Sequence, residues 1–130
     1  MGLAIRQEEF LYYRSDRVAL LLSSEGLMKI PDFIKTATSD IVAAVRLYSP
    51  EEGGRSEPIL PGFRCLCMAS QFRPLVGYEV YPLLMRPLAP GETRRIGLSL
   101  LSPDDAIPAF TAAGRFYLWD GRFIGEALLS

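Results

Sequence analysis

The chain has 130 residues, 49% of them hydrophobic and none of them histidine, and its formal charge is -1. That supplies one hydrophobic core but too little length for two domains of ordinary size. The near-neutral charge excludes a global field drawing the chain to nucleic acid or to an anionic membrane. The missing imidazole excludes the usual nucleophile triads and most acid–base pairs, so no enzymatic activity is expected.

In chain order, residues 1–39 form an extension of distinct character. The first four residues lack the basic start and apolar stretch of a signal peptide, and apolar runs such as 18–22 are far too short to span a bilayer. These features point to a cytoplasmic protein without membrane contact. Apolar clusters at 10–13 and 18–22, joined by Arg14-Ser15-Asp16-Arg17, read as a β-hairpin packed on the rest of the chain. An amphipathic helix is the competing reading, because the pattern suits either period. Pro31, ahead of Asp32-Phe33-Ile34, suits the opening of a single helical turn.

From residue 40 the pattern changes to short apolar segments punctuated by Gly and Pro, the signature of an all-β sandwich or barrel. Strands are predicted over 41–48, 63–69, 77–84, 93–101, 115–119 and 122–129. Six antiparallel strands with one buried face close most economically as a barrel, which removes exposed edges. Pro82, Pro87 and Pro90 each remove a ladder donor, so the third strand must be irregular towards its end or lie at an edge. Residues 102–114, with Pro103, Pro108 and many small side chains, read as a long crossover loop. Asp120-Gly121 reads as a two-residue type I′ hairpin turn between the last two strands.

The expected core includes Val45, Cys65, Cys67, Leu98, Leu100 and Phe116. Cys65 and Cys67, at i and i+2, share one face of a strand. With no His and no further Cys, they lack the partners of a zinc site and read as small buried residues. The carboxylate pairs Glu51-Glu52 and Asp104-Asp105 read as solvated loop charges. No Gly-rich loop ending in Gly-Lys-Ser/Thr is present, so neither nucleotide nor other cofactor is expected.

The segment Glu51-Glu52-Gly53-Gly54-Arg55-Ser56-Glu57-Pro58-Ile59-Leu60-Pro61-Gly62-Phe63-Arg64 reads as an ordered surface loop that carries an arginine between two strands. It resembles a segment in the third domain of bacterial elongation factor Tu and its relatives, where an acidic-Gly-Gly-Arg loop leads through Pro to Gly-aromatic-Arg. Ala89-Pro90-Gly91-Glu92 is similar to that family's Pro-Gly turn. Gly114-Arg115-Phe116 with Asp120-Gly121-Arg122-Phe123-Ile124-Gly125 is similar to its closing hairpin. The resemblance covers about residues 40–130 and implies a six-stranded antiparallel Greek-key barrel without the GTPase domain. The chain has no Asn, so the family's guanine-reading Asn-Lys-x-Asp element is absent.

In that family the domain binds the T-arm of aminoacyl-tRNA, packs on the GTPase domain and touches the exchange factor. By motif match, part of an RNA contact would fall on Arg55 with Gly54. An arginine on a rigid loop suits such contacts, because its planar guanidinium meets phosphate or 2′-hydroxyl oxygens at several points. Two departures favour a different use. Ser56-Glu57-Pro58 replaces His-Thr-Pro and sets a carboxylate two residues from Arg55. Phe72 and Leu75, with Arg73 between them, replace a polar threonine-rich turn.

Basic and acidic residues also nearly balance from Asp40 to Ser130, whereas an RNA footprint should show a basic stripe. The expected function is a non-catalytic protein-interaction module that binds a protein partner or itself. The competing reading is a tRNA-binding, translation-associated domain. The candidate contact residues are Gly54, Arg55, Glu57, Arg64, Phe72 and Arg73.

Overall fold

A computed structural model describes residues 30–130. The hairpin expected within 1–29 lies outside the described residues. The chain divides into two compact units, Met1–Lys35 and Thr36–Ser130. The expected helical turn is α1, Asp32–Thr36. It is opened by Pro31, whose carbonyl accepts the Ile34 N–H at 3.0 Å.

The second unit is a closed barrel of six antiparallel strands: β1 Ile41–Leu47, β2 Cys65–Met68, β3 Tyr78–Pro82, β4 Thr93–Leu100, β5 Arg115–Trp119 and β6 Phe123–Leu129. Around the wall the order is β1-β4-β3-β2-β5-β6, and β6 pairs back onto β1. Strands β2, β3 and β4 are sequential neighbours while β1 returns beside β4, which is a Greek key.

This order forces two long connections to cross the barrel. Residues 48–64 pass from β1 to β2 over one end. Residues 101–114 pass from β4 to β5 over the other. The hairpin connection 69–77 shares the end with 101–114, while 83–92 and 120–122 share the end with 48–64.

Alternation along the strands fills the interior with Val45, Leu47, Cys67, Val80, Leu98, Phe116 and Leu118, all fully buried. Closure also answers the edge problem, since every strand has two neighbours. Strand β3 ends at Pro82, where the ladder loses its donor, and the expected irregularity follows from there.

Residues 102–114 are not a loop. Pro103–Ala113 form a helix, α2, with Pro103 in the first turn, Asp104 and Asp105 beside the positive end of its dipole, and Gly114 as a left-handed C-cap at φ 76°. The prolines suggested a break, but Pro103 sits where an N–H would be unpaired anyway. Pro108 interrupts the helix interior, and tertiary burial offsets that cost. Ala106 and Phe110, one turn apart, are both fully buried. Phe110 stacks on Phe116 with ring centroids 4.4 Å apart and meets Tyr78 edge-on at 5.5 Å. The helix is thus the plug of that end, and Ile59, Leu84 and Leu88 plug the other.

The last hairpin also differs from expectation. Trp119 pairs with Phe123, so the connection is three residues, Asp120 to Arg122, with an irregularity between Leu118 and Trp119. Gly121 takes the positive φ, 77°. This is the longer hairpin form, in which a left-handed residue absorbs an extra position.

Candidate functional site

The loop that carries Arg55 is built by its glycines. Beyond β1, Ser49 caps a 3₁₀ turn, Pro50–Glu52, whose Glu52 side chain folds back to accept the Ser49 N–H at 3.0 Å and hydroxyl at 3.2 Å. Gly53 then takes φ 92°, a conformation that L side chains resist. Gly54 is buried with its N–H on Ser49 O at 2.9 Å, and a Cβ there would run into the Tyr48 carbonyl. The paired glycines are therefore a requirement of this backbone path, whatever the loop binds.

The closing hairpin clamps the same loop. Arg122 donates from Nε to Gly53 O and from Nη2 to Gly54 O, each at 3.0 Å. Arg55 donates from Nε to the Glu57 backbone carbonyl at 3.0 Å and approaches Asp120 Oδ2 at 3.5 Å from Nη1. Its guanidinium also lies over the Phe63 ring, 5.4 Å from the centroid. The result is an open depression of about 260 Å³ lined by Arg55, Ser56, Glu57, Asp120, Arg122 and Ile124. It is polar, but both arginines that face it are held by the protein itself.

A second polar network braces the start of the loop. Arg46 donates to both Glu52 carboxylate oxygens at 2.8 and 2.9 Å and lies 3.6 Å from Glu126. The Ser49 N–H and the Arg46 guanidinium hold the Glu52 carboxyl below its usual range. Tyr48 donates to Glu126 at 2.9 Å, and burial with that hydrogen bond pushes its phenol up to about 12.

Among the other candidates, Arg64, just before β2, pairs with Glu79 on β3 at 2.9 Å while remaining 65% exposed. The Glu57 carboxylate is not the partner of Arg55; its backbone carbonyl is, and the ion pair comes from Asp120. Gly54 is a structural residue. Phe72 is 82% exposed, held by a turn in which the Ser70 hydroxyl accepts the Phe72 N–H at 3.0 Å. Arg73 is exposed beside it, and Leu75 is half-buried while Val76 is exposed.

The candidates do not form one site. Strand β2 separates them: the Arg55 loop leads into Cys65, and the Phe72 turn leaves from Met68. Arg55 and Phe72 therefore stand at opposite ends of the barrel. Sequence reading missed Arg122 and Asp120 as partners of the loop, although an arginine directly after an Asp-Gly turn was the available signal. It also missed Leu101, 63% exposed at the end of Phe72.

Cys65 and Cys67 are free and buried with their sulfurs 3.9 Å apart on the inner face of β2. Burial pushes the Cys67 thiol well above its ordinary value, so it is a poor thiolate.

The sequence matches no protein-family model and no curated protein. The likeness to the third domain of elongation factor Tu therefore rests on the motifs, and two of these now have structural explanations. Gly53-Gly54 satisfies the backbone path under Tyr48. Ala89-Pro90-Gly91-Glu92 is a tight turn with Glu92 N–H on Ala89 O at 3.0 Å and Gly91 at φ 83°.

Proposed function

We propose that this barrel is a non-catalytic protein-interaction module, akin to the C-terminal domain of elongation factor Tu-type factors, that engages its partner through the Phe72 turn. The observation that carries this reading is the exposure of Phe72, 82%, at a turn flanked by Arg73 and Val76. Moving such a ring from water into a contact is worth roughly 1.5–3 kcal/mol. Exposed aromatics next to arginine have the composition of interface hot spots.

The Arg55 end supports protein over RNA. Contact with tRNA through Arg55 would have to displace Asp120, the Glu57 carbonyl and the Phe63 ring, whereas Phe72 has nothing to give up. A cytoplasmic setting belongs to the same proposal: two free thiols suit a reducing compartment. Among the described residues, no helix is long and apolar enough to cross a membrane.

Photo-crosslinking decides between the readings. Benzoylphenylalanine in place of Phe72, introduced into the full chain in cells, is expected to yield a protein adduct, and the same probe at Arg55 is expected to yield little. An RNase-sensitive adduct at Arg55 with none at Phe72 overturns the proposal in favour of tRNA. Filter binding of tRNA over a salt series gives an independent check. Affinity at about 0.15 M salt should be no tighter than the roughly 10⁻⁴ to 10⁻⁶ M of non-specific contacts, and Arg55→Ala should not change it.

A further inference from the structure

Charge at the Phe72 end is left open in both signs. Among the described residues from 40 onward, every arginine except Arg73 and Arg115 has a polar partner: Glu52, Asp120, Glu79, Glu92, the Ser130 hydroxyl or a backbone carbonyl. Both exceptions are exposed, and both lie at this end. Arg73 is in the 69–77 turn. Arg115 opens β5, beyond the Met68–Tyr117 pair that adjoins the same turn.

The same end carries exposed carboxylates that pair with neither arginine. Asp104 and Asp105 stand in the first turn of α2, where the helix dipole favours them, and both remain exposed. Just before them is Leu101, 63% exposed. Its N–H donates to Glu79 O at 3.1 Å, which holds it beside the start of β3. One end of the barrel thus presents both an apolar-plus-cationic element, Phe72 with Arg73, and an apolar-plus-anionic element, Leu101 with Asp104 and Asp105. Each is the complement of the other, and among the described residues they are not paired with one another.

Two complementary patches on one surface are what a two-fold interface requires, since residue i then meets j and j meets i. We propose that the partner engaged at this end is a second copy of this chain, with Phe72 and Arg73 of each copy meeting Leu101, Asp104 and Asp105 of the other. This rests on the reading of the Phe72 turn as a protein-contact surface and names its occupant. The paired contacts bury exposed apolar side chains of both copies and set each Arg73 against the other copy's Asp104 and Asp105.

The test is sedimentation of the full chain over a concentration series, with charge reversal as the discriminating step. Wild type is expected to rise from 14.5 kDa toward twice that mass. Arg73→Glu sets like charges opposite each other at both halves of the homodimer, as does the double change Asp104→Arg with Asp105→Arg. Each should raise the dissociation constant by about tenfold or more. Mixed in equal amounts, the two variants present opposite charges at both halves, so a heterodimer of wild-type affinity should form.

Circular dichroism of each variant should match wild type, because the altered side chains are exposed. A wild type that stays monomeric throughout, or a mixture that fails to restore association, overturns the proposal. The crosslinked product at position 72 separates the two levels of inference. An adduct with a different protein sinks self-association but leaves the interaction module standing, whereas no protein adduct sinks both.

Discussion

The two ends of the barrel are closed by different physics. At the Arg55 end the crossing loop is held by hydrogen bonds: Arg122 on two glycine carbonyls, Arg55 on Asp120 and a carbonyl, Glu52 on Ser49 and Arg46. At the Phe72 end the crossing element is a helix held by buried rings, Phe110 on Phe116 and Tyr78, and the hairpin beside it exposes an aromatic. The lesson is that arginines in a loop can serve the loop. At the Arg55 end polar groups already satisfy one another, while the Phe72 end exposes apolar and charged side chains to solvent.

The largest effect that would test this contrast lies in the aromatic plug. Phe110→Ala removes a fully buried ring and should cost about 3–5 kcal/mol, read as a lower urea midpoint. A loss below about 1 kcal/mol would mean that α2 does not close the barrel.

At the opposite end, Gly54→Ala should force the loop off its path, and Arg122→Ala should destabilise by less than the ring deletion. The first forces a Cβ onto the Tyr48 carbonyl, and the second leaves the carbonyls of Gly53 and Gly54 without their donor. For Arg122→Ala the loss should be about 1.5–3 kcal/mol, the range for hydrogen bonds to a charged group. Equal stability of Arg122→Ala and wild type would show that the clamp is incidental.

Smaller still is the change expected for Arg55→Ala. Its ion pair with Asp120 is solvent-accessible, and such pairs contribute about 0–1 kcal/mol. Phe72→Ser should leave stability within about 0.5 kcal/mol of wild type, since the ring is exposed. Its consequence should appear in association alone, and a large stability loss would show that the ring packs in solution.

A pH series sharpens the account of the Arg55 loop. The folded-state pKa of Glu52 lies below its ordinary 4.5, because Ser49 N–H and Arg46 stabilise the carboxylate. Its contribution is therefore present above pH 4.5 and is lost as the pH falls through the depressed folded value. The stability gap between wild type and Glu52→Gln should be constant near neutrality and shrink on acidification below about pH 4.5. A gap that persists or widens in acid would mean that Glu52 acts through its shape and not its charge.

Much of this fold was legible from local pattern. Alternation located the six strands, and the inward positions Val45, Cys67, Leu98 and Phe116 followed from a period of two. Pro-Gly and Asp-Gly marked turns because few residues accept their backbone angles. Helix α2 was not legible, since Pro103 and Pro108 argue locally against a helix and its burial of Ala106 and Phe110 depends on rings brought from β3 and β5.

The site divides in the same way. That Gly53-Gly54-Arg55 forms a fixed loop is a property of its own residues, and so is the apolar character of the Phe72 turn. Which arginine is occupied is not, because Arg122 reaches Gly53 and Asp120 reaches Arg55 only after the chain has travelled round the barrel. The sequence by itself determined the strands, the inward face and the turns, where each residue's conformational preference and hydrophobicity act over a few neighbours. Only the tertiary structure decided that Arg55 faces its own protein while Arg73 and Arg115 face solvent, because pairing between charges depends on distances that closure of the barrel sets.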